Sequence, residues 1–538
     1  MSLETMNNLA YDIWEPGIND ELENEQGSMY AWLNKSSKQV YGRRTKMKFL
    51  IGRSLGINNI PEAGDFPIAG DPVHDEVEIT LNRLAATTEF TLEEIDLLNG
   101  RDAGALPVVQ HKLDDLVRTL RRDVIRQTWG DGSATLARAA GAVTVVDATT
   151  IRFVLSDDET VQYDRDRFLW LEENGMLVDF ATPLDMTGAT TNVQDYGPGA
   201  FPDSTTYTTE YGMHNSTPGL YTAVKPAAAR IVGIDRVTNT VTAKVADSSD
   251  PVLATVAAGD HIVRRGNVQR SVHSPNWPLW LRDPRLAGTP AVAGGDFASM
   301  EFPGIQAAID VDNVYMGKDR MAPEVGYWWK ANVQSAGDGT GALGPLTIDK
   351  ILQLVNAMNT RTGRSPLTKE HGFFSNLGVW SSYGEQVEPR VRYQGYQKID
   401  RGWPELEIFG MPFYADIHCP HNTLFLIHRP TLEYRVPKYA DRGTFQFQNL
   451  DGSMWRYAPG IQADNPTYSG YRAKIQSHLT GMMTLICQHP RMQGKLTDIE
   501  EVGVPTTTST VKFTPTNVPV DHAASAYSDV YPPASSTP

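Results

Sequence analysis

The strongest constraint on this chain is a pair of alternating runs with no third run beside them. Met47, Phe49 and Ile51 alternate with Lys46, Lys48 and Leu50, and Val77, Ile79 and Leu81 alternate with Glu76, Glu78 and Thr80. A period of two marks a strand that buries one face. The stretch between them, 52–72, is rich in Gly, Pro and Asp, so the two runs predict a long hairpin over 43–90, with lysines on one strand facing glutamates on the other. A two-stranded hairpin is marginal in water. Its apolar face therefore needs a cover, either the chain's own domain or a neighbouring molecule.

Beyond the hairpin the pattern changes period. Val109, Leu113, Leu116, Leu120 and Val124 recur at helical spacing behind Pro107, which predicts an amphipathic helix over 107–128. Its acidic residues (Asp114, Asp115) come early and its basic ones (Arg118, Arg121, Arg122, Arg126) late, as the helix dipole favours, and Gly130 and Gly132 stop it. At 1.5 Å per residue such a helix is about 33 Å long. From 142 to 270 the texture is β, with a Thr/Gly/Pro/Tyr-rich loop or insertion at 182–222. Thr347 then caps a second amphipathic helix that ends at Gly363 and Pro366. Strand signals follow at 406–409, 423–427, 444–447 and 482–487. Long helices combined with unshared runs of strands predict an α+β protein. Residues 1–42 form a polar arm with isolated aromatics (Tyr11, Trp14, Tyr30, Trp32), and the Thr/Ser/Pro/Val-rich stretch 499–538, punctuated by Phe513, Tyr527 and Tyr531, lacks the apolar density to fold alone.

Composition narrows the class. A chain of 538 residues with 41% hydrophobic residues can bury a large core. A net charge of −16 does not draw nucleic acid to the whole surface. Only Cys419 and Cys487 are present, which suits a reducing compartment. The first residues have no basic, apolar leader, and no run approaches a membrane span, so secretion and a membrane partner are not expected. The acceptor patterns Asn34-Lys35-Ser36 and Asn215-Ser216-Thr217 then carry no meaning.

Each candidate for chemistry has a plainer reading. Gly339-Thr340-Gly341-Ala342-Leu343-Gly344 spells a dinucleotide fingerprint, but Pro345 follows and no acidic residue stands about 20 residues on; a loop is expected. Asp416, His418, Cys419 and His421 form the densest ligand-type cluster, with Cys487 and His489 as a second spacing, yet they straddle Pro420 at a strand end where polar residues belong anyway. No nucleophile elbow, zinc-protease helix or phosphate loop occurs. The basic residues Arg43, Arg44, Lys46, Lys48 and Arg53 read as partners for glutamates of the same protein before nucleic acid. The expectation is no catalytic residue, no cofactor and no metal.

The order of short motifs carries more. The long helix ends in Trp129-Gly130-Asp131-Gly132-Ser133-Ala134-Thr135-Leu136-Ala137. Next come Ala258-Gly259-Asp260-His261-Ile262-Val263, Phe302-Pro303-Gly304-Ile305, Val314-Tyr315-Met316-Gly317-Lys318-Asp319-Arg320 and Tyr327-Trp328-Trp329. Phe409-Gly410-Met411-Pro412-Phe413-Tyr414-Ala415-Asp416 and Cys419-Pro420-His421-Asn422-Thr423-Leu424-Phe425-Leu426-Ile427 follow, before the strand at Thr431-Leu432-Glu433. In this order they resemble the major capsid proteins of tailed bacteriophages, of Hong Kong 97-type fold, over roughly 40–495.

The resemblance implies an N-terminal arm (1–42), an extended hairpin loop (43–90), a peripheral domain (91–344) on a spine helix (107–128) with an added β-rich region (142–270), an axial domain (345–440), a return to the peripheral domain (441–498) and a C-terminal arm (499–538). It implies self-assembly through hexamers and pentamers into an icosahedral head around double-stranded DNA. Contacts between subunits are then expected at Phe49, Ile51, Val77, Ile79, Leu81, Trp14, Trp32, Phe513 and Tyr527. The implied partners are a separate scaffolding protein (no long scaffolding segment precedes the arm), a portal protein, a decoration or cement protein and weakly bound DNA. The expected location is the virion, assembled in the host bacterial cytoplasm. Lys46 and Lys48 lie where some members crosslink, but no residue motif carries that over. Two other readings stay open: an encapsulin-type compartment with enzyme cargo, and a β-rich tail-associated hydrolase or glycan-binding protein.

Overall fold

A computed structural model describes residues 29, 32–35, 44–52, 71–91, 105–183 (without 159 and 173–175), 220–270 (without 246–247, 250 and 252), 297–363 (without 312–313, 321–325 and 338–340), 370–391, 406–437, 445–447, 455–459 and 471–501. The chain is α+β. Strand β1 (Asn34–Lys35) comes first, and β2 (Arg44–Gly52) and β3 (Val73–Thr80) pair antiparallel as an isolated two-stranded ribbon. The ribbon ends at Thr80. Strand β4 (Asn82–Thr91) belongs to another sheet. Helix α1 (Ala105–Trp129) matches the amphipathic pattern and buries Leu113, Val117, Leu120, Val124, Ile125 and Trp129 on one face.

The β-rich part is larger than its texture suggested. Strands β5 (Thr135–Arg138), β6 (Thr144–Val145), β7 (Thr150–Val154), β8 (Leu177–Pro183), β9 (Leu220–Asp235), β10 (Thr240–Lys244), β11 (His261–Arg264), β12 (Val268–Arg270) and β13 (Phe297–Ser299) make one nine-stranded sheet. Its main path runs β5-β11-β8-β9-β10-β7-β6, with β6 at the edge. Ile151, Phe153, Val178, Phe180, Ile231, Val241 and Ile262 alternate into a core of its own.

The short ribbon β14 (Val314–Tyr315) and β15 (Lys318–Asp319) precedes β16 (Asn332–Ser335). Helix α2 (Ile348–Thr362) is capped by the Thr347 side chain, which accepts the Lys350 N–H, and it stops at Gly363 in the left-handed conformation. Then come β17 (His371–Ser375), α3 (Leu377–Val391), β18 (Leu406–Ile408), β19 (Met411–Ala415), β20 (Leu424–His428), β21 (Leu432–Arg435), β22 (Phe445–Phe447), β23 (Trp455–Pro459), β24 (Tyr471–Cys487) and β25 (Gly494–Thr497). One six-stranded sheet has the order β16-β25-β20-β17-β19-β18 and packs α2 against Phe373, Leu424, Leu426 and Leu496. In the other, β24 is the hub: β21, β22, β23 and β4 pair with it, and β1 adds parallel to β21. The main core lies between this second sheet and α1.

Candidate assembly surface

The ribbon β2–β3 has two chemically distinct faces. In register, Lys46 opposes Glu78, Met47 opposes Val77, Lys48 opposes Glu76 and Phe49 opposes Asp75. Paired residues point the same way, so Met47, Phe49, Val77 and Ile79 share one face, and Lys46, Lys48, Glu76 and Glu78 share the other. The charged face is exposed, and Lys46 pairs diagonally with Glu76. That hydrogen bond raises the Lys46 pKa and lowers that of Glu76.

The apolar face does not wait for another molecule over most of its length. Val77 and Ile79 are buried at 1% and 0% exposure, and Leu81 at 1%. These three expected subunit contacts are corrected: the protein's own body covers them. Phe49 is half-buried, with its ring 5.5 Å from Trp328, 5.4 Å from Trp329 and 6.1 Å from His489. Asp75 accepts a hydrogen bond from Lys318 Nζ at 2.5 Å. The far end of the ribbon is different. Leu50 is 60%, Val73 58% and Ile51 38% exposed. Of the expected contacts, Ile51 lies on this open end. Trp32 is half-buried, edge-on to Phe374 at 5.0 Å and beneath the Arg429 guanidinium at 5.5 Å, so it too anchors within its own subunit. Trp14, Phe513 and Tyr527 lie outside the described residues.

The socket that receives Phe49 is built by the motifs of the sequence. The Arg320 side chain is fully buried. It donates to the carbonyls of Trp329 (2.9 Å), Ala307 (2.7 Å) and Ala308 (2.7 Å) and lies 4.7 Å over the Tyr315 ring. Trp329 Nε1 donates to the Tyr315 carbonyl at 3.2 Å. Two of the motifs and the turn of helix just after Ile305 thus close on one guanidinium, which satisfies carbonyls that burial would otherwise leave unpaired. Phe302-Pro303-Gly304-Ile305 docks at the end of α1, where a Cβ on Gly304 would stand 2.2 Å from the Gln127 carbonyl oxygen; only glycine fits so close a backbone approach.

A charged joint escaped the sequence reading. Arg126 of α1 is buried between Asp123 and Glu301; it donates to Asp123 Oδ1 at 3.0 Å and to Glu301 Oε2 at 3.0 Å. Arg264 of β11 also meets Asp123 at 2.8 Å. Burial opposes the charge on Asp123, but Arg126 and Arg264 outweigh it and hold the carboxyl below its usual range. Arg126, one of the arginines placed late in the helix, is thus held in a buried ion cluster, and the Arg264–Asp123 pair ties α1 to the nine-stranded sheet. Nothing in its spacing distinguishes a buried arginine from a solvated one.

The chemical candidates are occupied in packing. Asp416 accepts from the Met29 N–H at 3.1 Å and the His418 N–H at 2.9 Å. His418 stacks on Trp170 at 6.1 Å. The His421 N–H donates to Asp166 at 2.7 Å, and its ring meets Asn376 and Glu501. Burial pushes the Cys419 thiol well above its ordinary pKa and that of Cys487 up to about 12, which disfavours the thiolate a metal or nucleophilic role requires. Among the described residues no group of three or more His, Cys, Asp and Glu side chains is placed to hold a metal ion, and no helix is long and apolar enough to cross a membrane. Gly341 and Gly344 lie in a loop, with the Gly344 N–H on the Asp498 carbonyl at 2.8 Å; 338–340 lie outside the described residues. Of the basic stretch, the side chains of Arg43, Arg44 and Arg53 also lie outside them.

No protein-family model and no curated protein sequence matches the chain. Solved structures do. The capsid asymmetric unit of cyanophage A-1(L) aligns over 88% of this chain and 93% of its own at 10% identity and a TM-score of 0.42. The capsid of a native GTA particle aligns over 88% and 90% at 9% identity and a TM-score of 0.37. The SrpI encapsulin of Synechococcus elongatus aligns over 37% of this chain and 57% of its own at 13% identity and a TM-score of 0.22.

Proposed function

We propose that this chain is a major capsid subunit of a tailed bacteriophage, with the Hong Kong 97-type fold, that self-assembles into an icosahedral head around double-stranded DNA. The observation that carries the reading is the ribbon. It is a two-stranded sheet welded at its root into a dedicated socket, with Leu50, Ile51 and Val73 left open at its far end. A ribbon built this way costs an isolated molecule exposed apolar area and returns nothing. In a symmetric shell the same area is covered by an identical neighbour at every position. The order of motifs that close the socket is the order that carries the family resemblance.

In this reading α1 is the spine helix, 345–440 is axial and 91–344 with 441–498 peripheral, while Met29 and residues 32–35 of the N-terminal arm rest on their own subunit. Hexamers and pentamers of the chain form the wall, aided by scaffolding, portal and decoration proteins. The acidic charge of −16 keeps contact with packaged DNA weak. Assembly takes place in the host bacterial cytoplasm and the product is the virion. The role is structural, which agrees with the use of Asp416, His418, Cys419 and His421 in packing.

The test compares the wild-type protein with Leu50→Asp/Ile51→Asp, both at exposed positions. Both proteins are expected to melt at the same temperature, and only the wild type is expected to form closed particles by electron microscopy. Equal particle yields would remove the ribbon from assembly. Nuclease-protected DNA inside particles from infected cells separates a phage head from a cargo compartment. A monomer that binds glycan would support the tail-protein reading instead.

A further inference from the structure

The outer face of the nine-stranded sheet carries positive charge that the sheet itself does not use. Arg152 of β7, Arg230 of β9 and Lys244 of β10 are exposed, on the face opposite the core residues Ile151, Phe153, Ile231, Val241 and Ala243. Register fixes their spacing. Lys244 stands directly opposite Arg230, and Arg152 stands opposite Thr242, two residues along β10 from Lys244. Like charges directly opposed destabilise a sheet, and among the described residues none of the three forms an ion pair. Exposed apolar residues flank the charges: Leu177 lies opposite Arg230, and Val154 opposite Thr240. Asp235, at the end of this face, is taken up by its own turn; its carboxylate accepts the Val237 N–H at 2.9 Å and the Thr238 hydroxyl at 2.7 Å.

The chain holds a segment of complementary chemistry. Residues 1–28 contain seven acidic residues between Glu4 and Glu25 and no Lys, Arg or His, with apolar residues such as Trp14 and Ile18 among them. A run of one charge sign marks an interaction segment more than a folding one. It leads into Met29 and Leu33, which are buried in the main core of the same molecule, so its inner end is fixed on the body that carries the basic face. Extended, 28 residues reach about 90 Å. A tether raises the concentration of such a segment at its own molecule far above that of a free partner.

We propose that residues 1–28 dock within their own molecule on the outer face of the nine-stranded sheet, their carboxylates meeting Arg152, Arg230 and Lys244 and their apolar residues covering Val154 and Leu177. The contact relieves the repulsion between Lys244 and Arg230 and weakens as salt screens it. It stands apart from the shell reading, because it is made by a single subunit.

The experiment treats dilute full-length protein, an equal mixture of unlabelled and isotope-labelled chains, with a carbodiimide that joins amines to carboxylates in contact, and maps the links by mass spectrometry. Lys244 is expected to link to a carboxylate between Glu4 and Glu25 of its own chain, and high salt is expected to reduce that link several-fold. The Lys46–Glu76 pair of the ribbon serves as the internal control. Arg152→Gln/Arg230→Gln, both at exposed positions, is expected to cut the Lys244 link at least threefold while the control link stays unchanged. A control link without any link from Lys244 to residues 1–28 would overturn the docking. Links found only between differently labelled chains would give the face to a second copy and overturn it too. Duplex DNA held by the wild type and lost by the variant, with no link to residues 1–28, would assign the face to nucleic acid instead.

Discussion

Ile79 and Leu50 lie on the same short ribbon and answer to different masters. Ile79 is enclosed by its own subunit and Leu50 is open. A carboxylate at 79 would be buried without a partner, at a cost of several kcal/mol. Ile79→Asp is therefore expected to lower stability by at least about 3 kcal/mol and to yield little soluble protein, visible in thermal denaturation. A stable Ile79→Asp protein that fails only in assembly would show that this face belongs to a neighbour after all. Alternation identifies which residues share a face. It carries no information about what lies opposite, because one body or another satisfies the same pattern. That is why Val77, Ile79 and Leu81 read as subunit contacts in the sequence and prove to be internal. Leu50 has the opposite history: it falls among the lysines in the alternation, so nothing marked it as part of an apolar tip.

Elements were more legible than their partners. Helix α1 spans Ala105–Trp129 where Pro107 and the four-three spacing of leucines placed 107–128, and α2 ends at the glycine that the sequence marked. Both signals are local: a periodic face, a cap and a left-handed stop. Helix α3, Leu377–Val391, was not foreseen, because Gly378, Gly384 and Pro389 break its pattern. The hub role of β24 was equally hidden, since strand partners separated by hundreds of residues leave no trace in local spacing. The joint of Arg126 with Asp123 and Glu301 belongs to this scale. Removing the charge of Glu301 leaves Arg126 buried with one partner fewer. Glu301→Gln is expected to cost about 3 kcal/mol, read as a lowered denaturation midpoint. An unchanged midpoint would mean that the joint is solvated or dispensable.

Across the whole molecule, buried histidines couple stability to acid. Burial lowers the pKa of His261 to about 4 and that of His371 to about 3, in each case below the ordinary value of 6.5. The unfolded chain then binds more protons than the native one between these limits, so their contribution is complete above pH 6.5 and is lost as pH falls toward 4 and 3. Asp166 works the other way. Burial raises it to about 6, so its contribution is present at acid pH and lost as pH rises through 6. His371→Gln is therefore expected to lose less melting temperature than the wild type as pH falls from 6.5 to 4. A loss unchanged by the substitution would place the proton uptake elsewhere. All of this concerns a subunit, and the central claim concerns what many subunits do together. Electron microscopy of the purified full-length protein at assembling concentration tests it most directly: closed, evenly sized particles are the expected result, and a monodisperse monomer with no higher assembly at any concentration would contradict it.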